Sequence, residues 1–84
     1  MAEVQAAYDP VTIAVAAERL EVPQPTLRVW ASRHNARKLA RTGKTVWYDY
    51  NDLATIEAHL HLGKRVPITP ELRDAYRAQL RAAA

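Results

Sequence analysis

The sequence predicts a small, mainly α-helical domain with one β-hairpin. Apolar residues recur at helical spacing in four segments, and two prolines separate the first two of these segments. One glycine joins two short segments, of which the second is rich in β-branched and aromatic residues. A chain of 84 residues forms one domain, and a domain of this size buries only about 60 to 65% of the surface that its unfolded chain exposes. We therefore expect a modest core.

Residues 1–10 are predicted to form a flexible lead, because no periodic pattern precedes the turn signal Asp9-Pro10. Thr12 is the predicted N-cap of the first helix, since its hydroxyl can accept a hydrogen bond from a backbone N–H of the first turn. The apolar face of this helix has the spacing i, i+3, i+4, i+7 and consists of Ile13, Ala16, Ala17 and Leu20. The pattern predicts a short amphipathic helix.

Pro23 and Pro25 mark the break before the second helix, because proline is tolerated at a helix start but not in a helix interior. The second helix is predicted from Gln24 to His34, and Asn35 can take the left-handed conformation found at helix C-termini. A rotation of about 100° per residue divides this helix into two faces. The face predicted to be buried holds Leu27, Trp30, Ala31 and His34. The opposite, mostly polar and basic face holds Pro25, Arg28, Val29, Ser32 and Arg33.

A β-hairpin is predicted from Leu39 to Tyr48, with Gly43 at its turn. The second arm is the stronger strand because of its β-branched and aromatic residues. Trp30 and Trp47 could stack on the bases of a single-stranded nucleic acid. Because Trp30 shares its face with apolar residues, we assign both tryptophans, and Tyr48 beneath the hairpin, to the core.

Asn51 or Asp52 is the predicted N-cap of a third helix of about ten residues, which ends at Gly63. The buried face of this helix consists of Leu53, Ile56 and Leu60. His59 and His61 lie two apart and so point to different sides of the helix, which argues against a metal site. A linker over residues 63–69 follows.

Thr69-Pro70-Glu71 is a strong helix start, because it combines a capping hydroxyl, a proline in the first turn and an acid favoured by the helix dipole. The fourth helix is predicted over residues 70–84. Its apolar stripe consists of Leu72, Ala75, Tyr76 and Leu80, and its flanks carry Arg73, Asp74, Arg77 and Arg81. The stripe is predicted to pack on the domain or on another chain.

The charged residues are unevenly distributed along the chain. The net charge is only +3, yet six of the twelve basic residues and none of the nine acids fall between Arg28 and Lys44. The basic residues of this block are Arg28, Arg33, Arg37, Lys38, Arg41 and Lys44. A one-sided basic block is typical of surfaces that bind a polyanion, because each neutralised phosphate releases counterions. A solvated basic face is the alternative.

The composition argues against several functional classes. The chain has no cysteine, which excludes disulfides and thiolate metal sites and favours a reducing, cytoplasmic location. No apolar run approaches the roughly 20 residues of a membrane span, and no signal-peptide pattern opens the chain. The sequence contains neither a glycine-rich phosphate loop nor carboxylates paired with a histidine, so no motif indicates catalysis. We expect no enzymatic activity, no cofactor, no metal and no small-molecule ligand.

The predicted elements follow the order of a winged helix-turn-helix: helix, tight turn, helix, basic hairpin and helix. In this fold one helix contacts base edges, and the hairpin, or wing, contacts neighbouring DNA. Two strings carry a further resemblance: Thr26-Leu27-Arg28-Val29-Trp30 in the second helix, and Tyr48 followed by Asp52-Leu53. With Thr12-Ile13, Ala17, Leu20 and Val22, they resemble the winged helix-turn-helix of MerR-type regulators and small bacteriophage excisionases. The resemblance covers roughly residues 11–62, which we assign as the DNA-binding domain.

The resemblance implies double-stranded DNA as the partner. A single module of this size is most similar to the excisionases, which bind repeated sites cooperatively and bend DNA so that an integrase excises. This similarity implies a phage integrase and a head-to-tail copy of the chain as further partners. A small MerR-like transcriptional regulator is the first alternative, and a terminase-type or partner-recruiting interaction module is the second.

The candidate DNA contacts combine the exposed helix face with the hairpin. Those of the second helix are Gln24, Pro25, Arg28, Val29, Ser32 and Arg33. Those of the wing and its flank are Arg37, Lys38, Arg41, Thr42, Gly43 and Lys44. Arg28 is the first choice for a base contact, with a surface ion pair to Glu21 as the alternative. The predicted core consists of Ile13, Ala17, Leu20, Leu27, Trp30, Trp47, Tyr48, Leu53, Ile56 and Leu60.

Overall fold

The computed structural model describes residues 8–84 and contains four helices and three strands within that range. In chain order they are β1 (Pro10–Val11), α1 (Ile13–Leu20), α2 (Gln24–Arg33), β2 (Lys38–Thr42), β3 (Thr45–Asp49), α3 (Tyr50–His61) and α4 (Pro70–Ala83). The strands form one antiparallel sheet in the order β1-β3-β2. This arrangement confirms the predicted winged helix-turn-helix with a C-terminal helix.

The first two helices form as their local signals predict. The Thr12 hydroxyl accepts a hydrogen bond from the Val15 N–H and caps α1. Glu21 then adopts a left-handed conformation with φ 57° and ends the helix, so that only residues 21–23 separate α1 from α2. Helix α2 ends at Arg33, one residue earlier than predicted, and Asn35 has the expected left-handed conformation with φ 52°.

A short strand at the start of the domain was not predicted. Pro10 and Val11 pair with Asp49 and Tyr48 of β3, at positions where the sequence indicated a turn and the end of a flexible lead. Proline is compatible with this edge position because its missing N–H is not needed there. Of the predicted lead over residues 1–10, residues 1–7 lie outside the described part of the chain.

Helix α3 begins earlier than the sequence suggested. Its N-cap is Asp49, whose carboxylate accepts a hydrogen bond from the Asn51 N–H, and not Asn51 or Asp52 as predicted. The helix therefore has twelve residues, ends at His61 and is followed by Gly63 with φ 70°. The correction has a physical cause, because an N-cap must carry extended backbone, and the last residue of β3 already has it.

The core lies between the three N-terminal helices and the sheet. Its buried apolar residues are Val11, Ala16, Ala17, Leu27, Ala31, Ala36, Leu53, Ile56 and Val66. Partly buried residues packed against them are Ile13, Leu20, Val22, Trp30, Tyr48, Tyr50 and Leu60. Trp47 was predicted to belong to the core but lies outside this cluster and is half-buried. Side chains alternate along β3, so Trp47 points away from the face that Tyr48 shares with the helices.

Helix α4 docks through a face other than the predicted one. Leu72 and Leu80 of the apolar stripe are 51% and 53% exposed, whereas Arg73, expected on a flank, is fully buried. Within the stripe, Tyr76 does contact the domain, where its ring meets the buried His59 edge-on with centroids 4.6 Å apart. Of the two predicted packing partners of the stripe, this domain and another chain, the domain therefore receives Tyr76 but not the two leucines.

The orientation of α4 is explained by the side chain of Asp52, in the first turn of α3. Its carboxylate is fully buried, and a buried carboxylate is stable only with hydrogen-bond donors and a counter-charge. Arg73 supplies both, with Nε 2.5 Å and Nη2 2.8 Å from the two carboxylate oxygens. Turning Arg73 inward rotates Leu72 toward solvent.

No helix within the described part of the chain has the length and apolar character needed to cross a membrane.

Candidate nucleic-acid interface

The outer face of α2 is a continuous exposed surface. Leu27 and Ala31 are buried on the opposite side of the helix, which fixes its rotation. Arg28, Val29, Ser32 and Arg33 line a shallow groove of about 490 Å³ on the outer face. These are predicted contact residues, and the structure places them together. Cationic, hydroxyl and small apolar side chains on one helix face suit the donors, acceptors and methyl groups of a DNA groove.

A cleft of about 410 Å³ joins the start of α2 to the wing. It is lined by Thr12, Ile13, Ala14, Gln24, Arg28, Lys44, Thr45, Val46 and Tyr48. Arg28 donates from Nη2 to Oε1 of Gln24 at 3.4 Å, a weak contact, and not to Glu21 as the alternative interpretation required. The cleft brings Arg28 of the helix and Lys44 of the wing to the same opening, although they lie 16 residues apart in the sequence.

The wing is the β2–β3 hairpin with an exposed tip. Thr42 pairs with Thr45, which leaves Gly43 and Lys44 as a two-residue turn. Gly43 has φ 61° and Lys44 does not have a positive φ, as in a type II′ turn, where the first central residue must tolerate a left-handed backbone. The turn therefore requires glycine and presents the side chain of Lys44 to solvent. Arg41, Thr42 and Lys38 are also exposed.

Arg37 was predicted as a contact on the flank of the wing, but the structure places it elsewhere. Its side chain is only 13% exposed, and Nη1 donates to Oδ2 of Asp74 at 2.8 Å. A second ion pair joins Nη2 to Glu71 at 3.4 Å, and the guanidinium lies over the ring of Tyr8. Arg37 thus holds α4 to the start of β2, and we leave it out of the candidate interface.

The family of the chain follows from a comparison with protein-family models. Residues 11–65, about two thirds of the chain, match the model described as MerR HTH family regulatory protein. The chain belongs to the MerR helix-turn-helix family. No curated protein and no solved structure matches the chain. Family membership makes this a DNA-binding helix-turn-helix domain with double-stranded DNA as its partner. The excisionase resemblance is not part of this finding.

Five of the six cations of the acid-free block remain available on the surface of the MerR-family domain. They are Arg28, Arg33, Lys38, Arg41 and Lys44, all exposed. In the part of the chain that the structure describes, no carboxylate forms an ion pair with any of them. The ion pairs instead use the acids of α3, α4 and the N-terminal segment. The surface left for a polyanion is therefore strongly cationic.

Two titratable groups at the edge of this surface have shifted pKa values. Burial lowers the pKa of His34 below 6.5, and the charges of Arg73 and Arg33 lower it further. Its Nε2 is buried without a hydrogen-bond partner among residues 8–84. For Arg37, burial acts to lower the pKa of the guanidinium, but the hydrogen bond and charge of Asp74 outweigh this effect and raise it. Burial thus disfavours the charged form of His34, whereas Asp74 favours the charged form of Arg37.

Sequence reasoning missed three small residues that complete the cleft. Thr12, Ala14 and Thr45 line it between the N-terminus of α1 and the wing. A capping threonine before a helix is a local signal, but its position beside the wing depends on the pairing of β1 with β3. Because that pairing links residues about 40 positions apart, no sequence window contains it. Among residues 8–84, no group of three His, Asp or Glu side chains is placed to hold a metal ion.

Proposed function

We propose that this MerR-family domain binds a specific double-stranded DNA sequence with a grip of two parts, α2 in the major groove and the wing on adjacent phosphates. The observation that carries the proposal is the shared cleft, in which Arg28 and Lys44 converge from the two parts. Cations brought together from separate elements, with no acid among them, favour one extended anionic ligand. The role is binding and not catalysis.

The exposed face of α2 supports a division of labour within this grip. The major groove is about 12 Å wide and admits one helix. In that groove the guanidinium of Arg28 can donate two hydrogen bonds to guanine, and Val29 can contact a thymine methyl group. Arg41 and Lys44 at the wing tip have long side chains and no fixed partner among residues 8–84, which suits contacts with phosphates and not with particular bases.

Binding to DNA tests this proposal. A duplex selected from random sequences should bind more tightly than an unrelated duplex, with a steep salt dependence in both cases. Arg28→Ala should weaken binding to the selected duplex by about 1 to 3 kcal/mol and reduce discrimination between sequences. Lys44→Ala should weaken binding to both duplexes about equally. Equal effects of the two variants on both duplexes would refute the division, and an absence of salt-dependent binding would favour the partner-recruiting alternative.

For the use of the bound DNA, we propose transcriptional regulation, as the family description supports. An excisionase-type architectural role is the second candidate, and one observation favours it. An exposed groove beside the start of α2 is lined by Glu18, Glu21 and Gln24, among others, so an acidic edge borders the cationic surface. A neighbouring copy could place a cationic edge there, which would support head-to-tail binding on repeated sites.

The two uses differ in what happens on adjacent sites. An architectural factor should bind direct repeats cooperatively, bend the DNA in a permutation gel assay and act with an integrase. The double variant Glu18→Gln with Glu21→Gln should abolish that cooperativity while single-site binding persists. Independent binding to repeats, without bending, would leave regulation as the function.

A further inference from the structure

The segment that joins the two parts of the grip is short. Residues 35–37, here called the joint, lie between His34, the C-cap of α2, and the start of β2. The N–H of Ala36 donates to the carbonyl of Ala31 at 2.9 Å, and the carbonyl of Arg37 accepts from the N–H of Asp49 at 3.0 Å. One end of the joint is thus bonded to the helix and the other to the sheet.

Two further polar groups of the joint are bonded to a buried ion pair. The Asn35 carbonyl accepts from Nη2 of Arg73 at 3.3 Å, and the N–H of Arg37 donates to Oδ2 of Asp52 at 2.8 Å. Arg73 also donates from Nη1 to the carbonyl of Pro67 at 2.7 Å. Arg73 and Asp52 therefore contact the joint at both of its ends.

The energetics of this pair favour a geometric role. Both side chains are fully buried. Removing two charges from water carries a large desolvation penalty, and their mutual attraction often does no better than offset it. A buried pair of this kind adds little stability compared with a well-packed apolar pair. Its bidentate geometry, in contrast, fixes distance and direction more tightly than apolar contacts do.

We propose that Arg73 is a positioning residue for DNA binding, which sets the orientation of the wing relative to α2 through Asn35 and through Asp52 and Arg37. The inference rests on the proposed two-part grip. It extends the DNA-binding unit beyond the family match, which ends at residue 65, to helix α4. Among the predicted DNA contacts, this helix pairs with Arg37, which is not part of the candidate interface. Helix α4 is then a structural part of the grip and not an appendage.

Arg77 provides a matched control on the same helix. It donates to the Asn51 carbonyl at 3.2 Å and to the Thr55 hydroxyl at 2.7 Å, and it is paired with Asp74. It therefore holds α4 to α3 and, among the described residues, makes no direct hydrogen bond to the joint, although Asp74 is also paired with the side chain of Arg37. Replacing either arginine by lysine keeps the charge and removes the planar fork of donors. Of the two variants, Arg73→Lys should disturb the backbone of the joint, because Arg73 is bonded to it directly.

The first measurement is a distance in the free protein. Because the chain has no cysteine, Ser32→Cys on α2 and Thr42→Cys on the wing provide two unique sites for spin labels. We expect Arg73→Lys to broaden or shift the distance distribution between them, and Arg77→Lys to leave it unchanged. Circular dichroism and urea unfolding confirm that each variant is folded. If Arg73→Lys does not fold, Asp52→Leu with Arg73→Met replaces the ion pair by apolar residues and should fold with the same loss of order at the joint.

The second measurement is the salt dependence of DNA binding by the variants without labels. A displaced wing loses the phosphate contacts of Arg41 and Lys44, so Arg73→Lys should reduce the slope of log K against log[salt] by about 2, at about 0.9 per contact. Arg77→Lys should keep the slope of the unmodified protein. A loss of stability alone would change neither the slope nor the distance distribution of the folded protein.

Equal distances and slopes in both lysine variants would overturn the inference, since Arg73 would then merely anchor α4. If the unmodified protein binds no DNA, the proposed function is refuted, while the spin-label distances still decide whether Arg73 controls the joint.

Discussion

Arg37 and Arg41 lie in the same basic block, but the structure gives them different roles, which a matched pair of substitutions can separate. Arg41 is exposed at the wing, whereas the side chain of Arg37 is 13% exposed and bonded to Asp74 and Glu71. We predict that Arg41→Gln weakens DNA binding and leaves stability unchanged. Arg37→Gln should lower stability and leave the salt dependence of DNA binding unchanged.

The magnitudes follow from these contacts. One phosphate contact contributes about 0.9 to the slope of log K against log[salt]. This slope corresponds to about 1 kcal/mol of binding free energy at about 0.15 M salt, relative to about 1 M. Arg41→Gln should remove this contribution to the slope and to the free energy for any DNA sequence. For Arg37→Gln, the half-buried hydrogen bond to Asp74 contributes about 1 to 2 kcal/mol to folding. The mostly exposed Glu71 adds little, and Asp74 keeps its bond to Arg77.

Fluorescence anisotropy over a series of salt concentrations measures the slopes, and urea unfolding measures the stabilities. Each protein is titrated with the same labelled duplex, at a temperature where both variants are fully folded. A slope that falls as much for Arg37→Gln as for Arg41→Gln would show that Arg37 reaches a phosphate. The inference from its ion pairs would then be wrong.

Three further predictions concern stability. Because the pKa of His34 is lowered by burial and by Arg73, the unfolded chain binds more protons just below pH 6.5, so the free energy of unfolding should fall as the pH drops through that value. Urea unfolding of His34→Gln should lack this component, and an unchanged pH dependence would contradict the assignment. Leu27→Ala should lower the free energy of unfolding by about 2 to 5 kcal/mol, a large share of the roughly 4 to 12 kcal/mol expected for a domain of this length. A loss of less than about 2 kcal/mol in urea unfolding would mean that the surrounding core residues move in to fill the cavity left by this buried leucine. Gly43→Ala should cost about 1 to 2 kcal/mol in thermal unfolding because φ is 61°; no described atom lies within 4 Å of the added Cβ, so the whole cost comes from the backbone. A neutral result would show that the turn changes type.

Much of the fold could be predicted from short-range signals. The threonines Thr12 and Thr69 cap α1 and α4 as expected, because the capping bond spans only three residues. The helical spacing of α2 correctly separated its buried side from its exposed side, since both follow from one rotation per residue. Gly43 marked the turn of the wing for the same local reason.

The candidate site could be predicted only in part. The acid-free block correctly indicated a cationic surface, and the exposure of Arg28, Arg41 and Lys44 agrees with it. Arg37 lies in the same block, and its withdrawal into ion pairs depends on acids 34 and 37 residues further along the chain. The spacing of charges in a sequence does not reveal which of them meet in space.

The sequence by itself determined the order of the four helices and the hairpin, the N-caps of α1 and α4, and the cationic character of α2 and the wing, because these properties arise within a few neighbouring residues. The tertiary structure alone decided how α4 is used. Its periodicity defined an apolar stripe with Leu72 and Leu80, but the buried carboxylate of Asp52 required a cation, and Arg73 lies on a different face of the helix. The need to pair one buried charge therefore set the orientation of the helix, over the weaker preference of two leucines for burial.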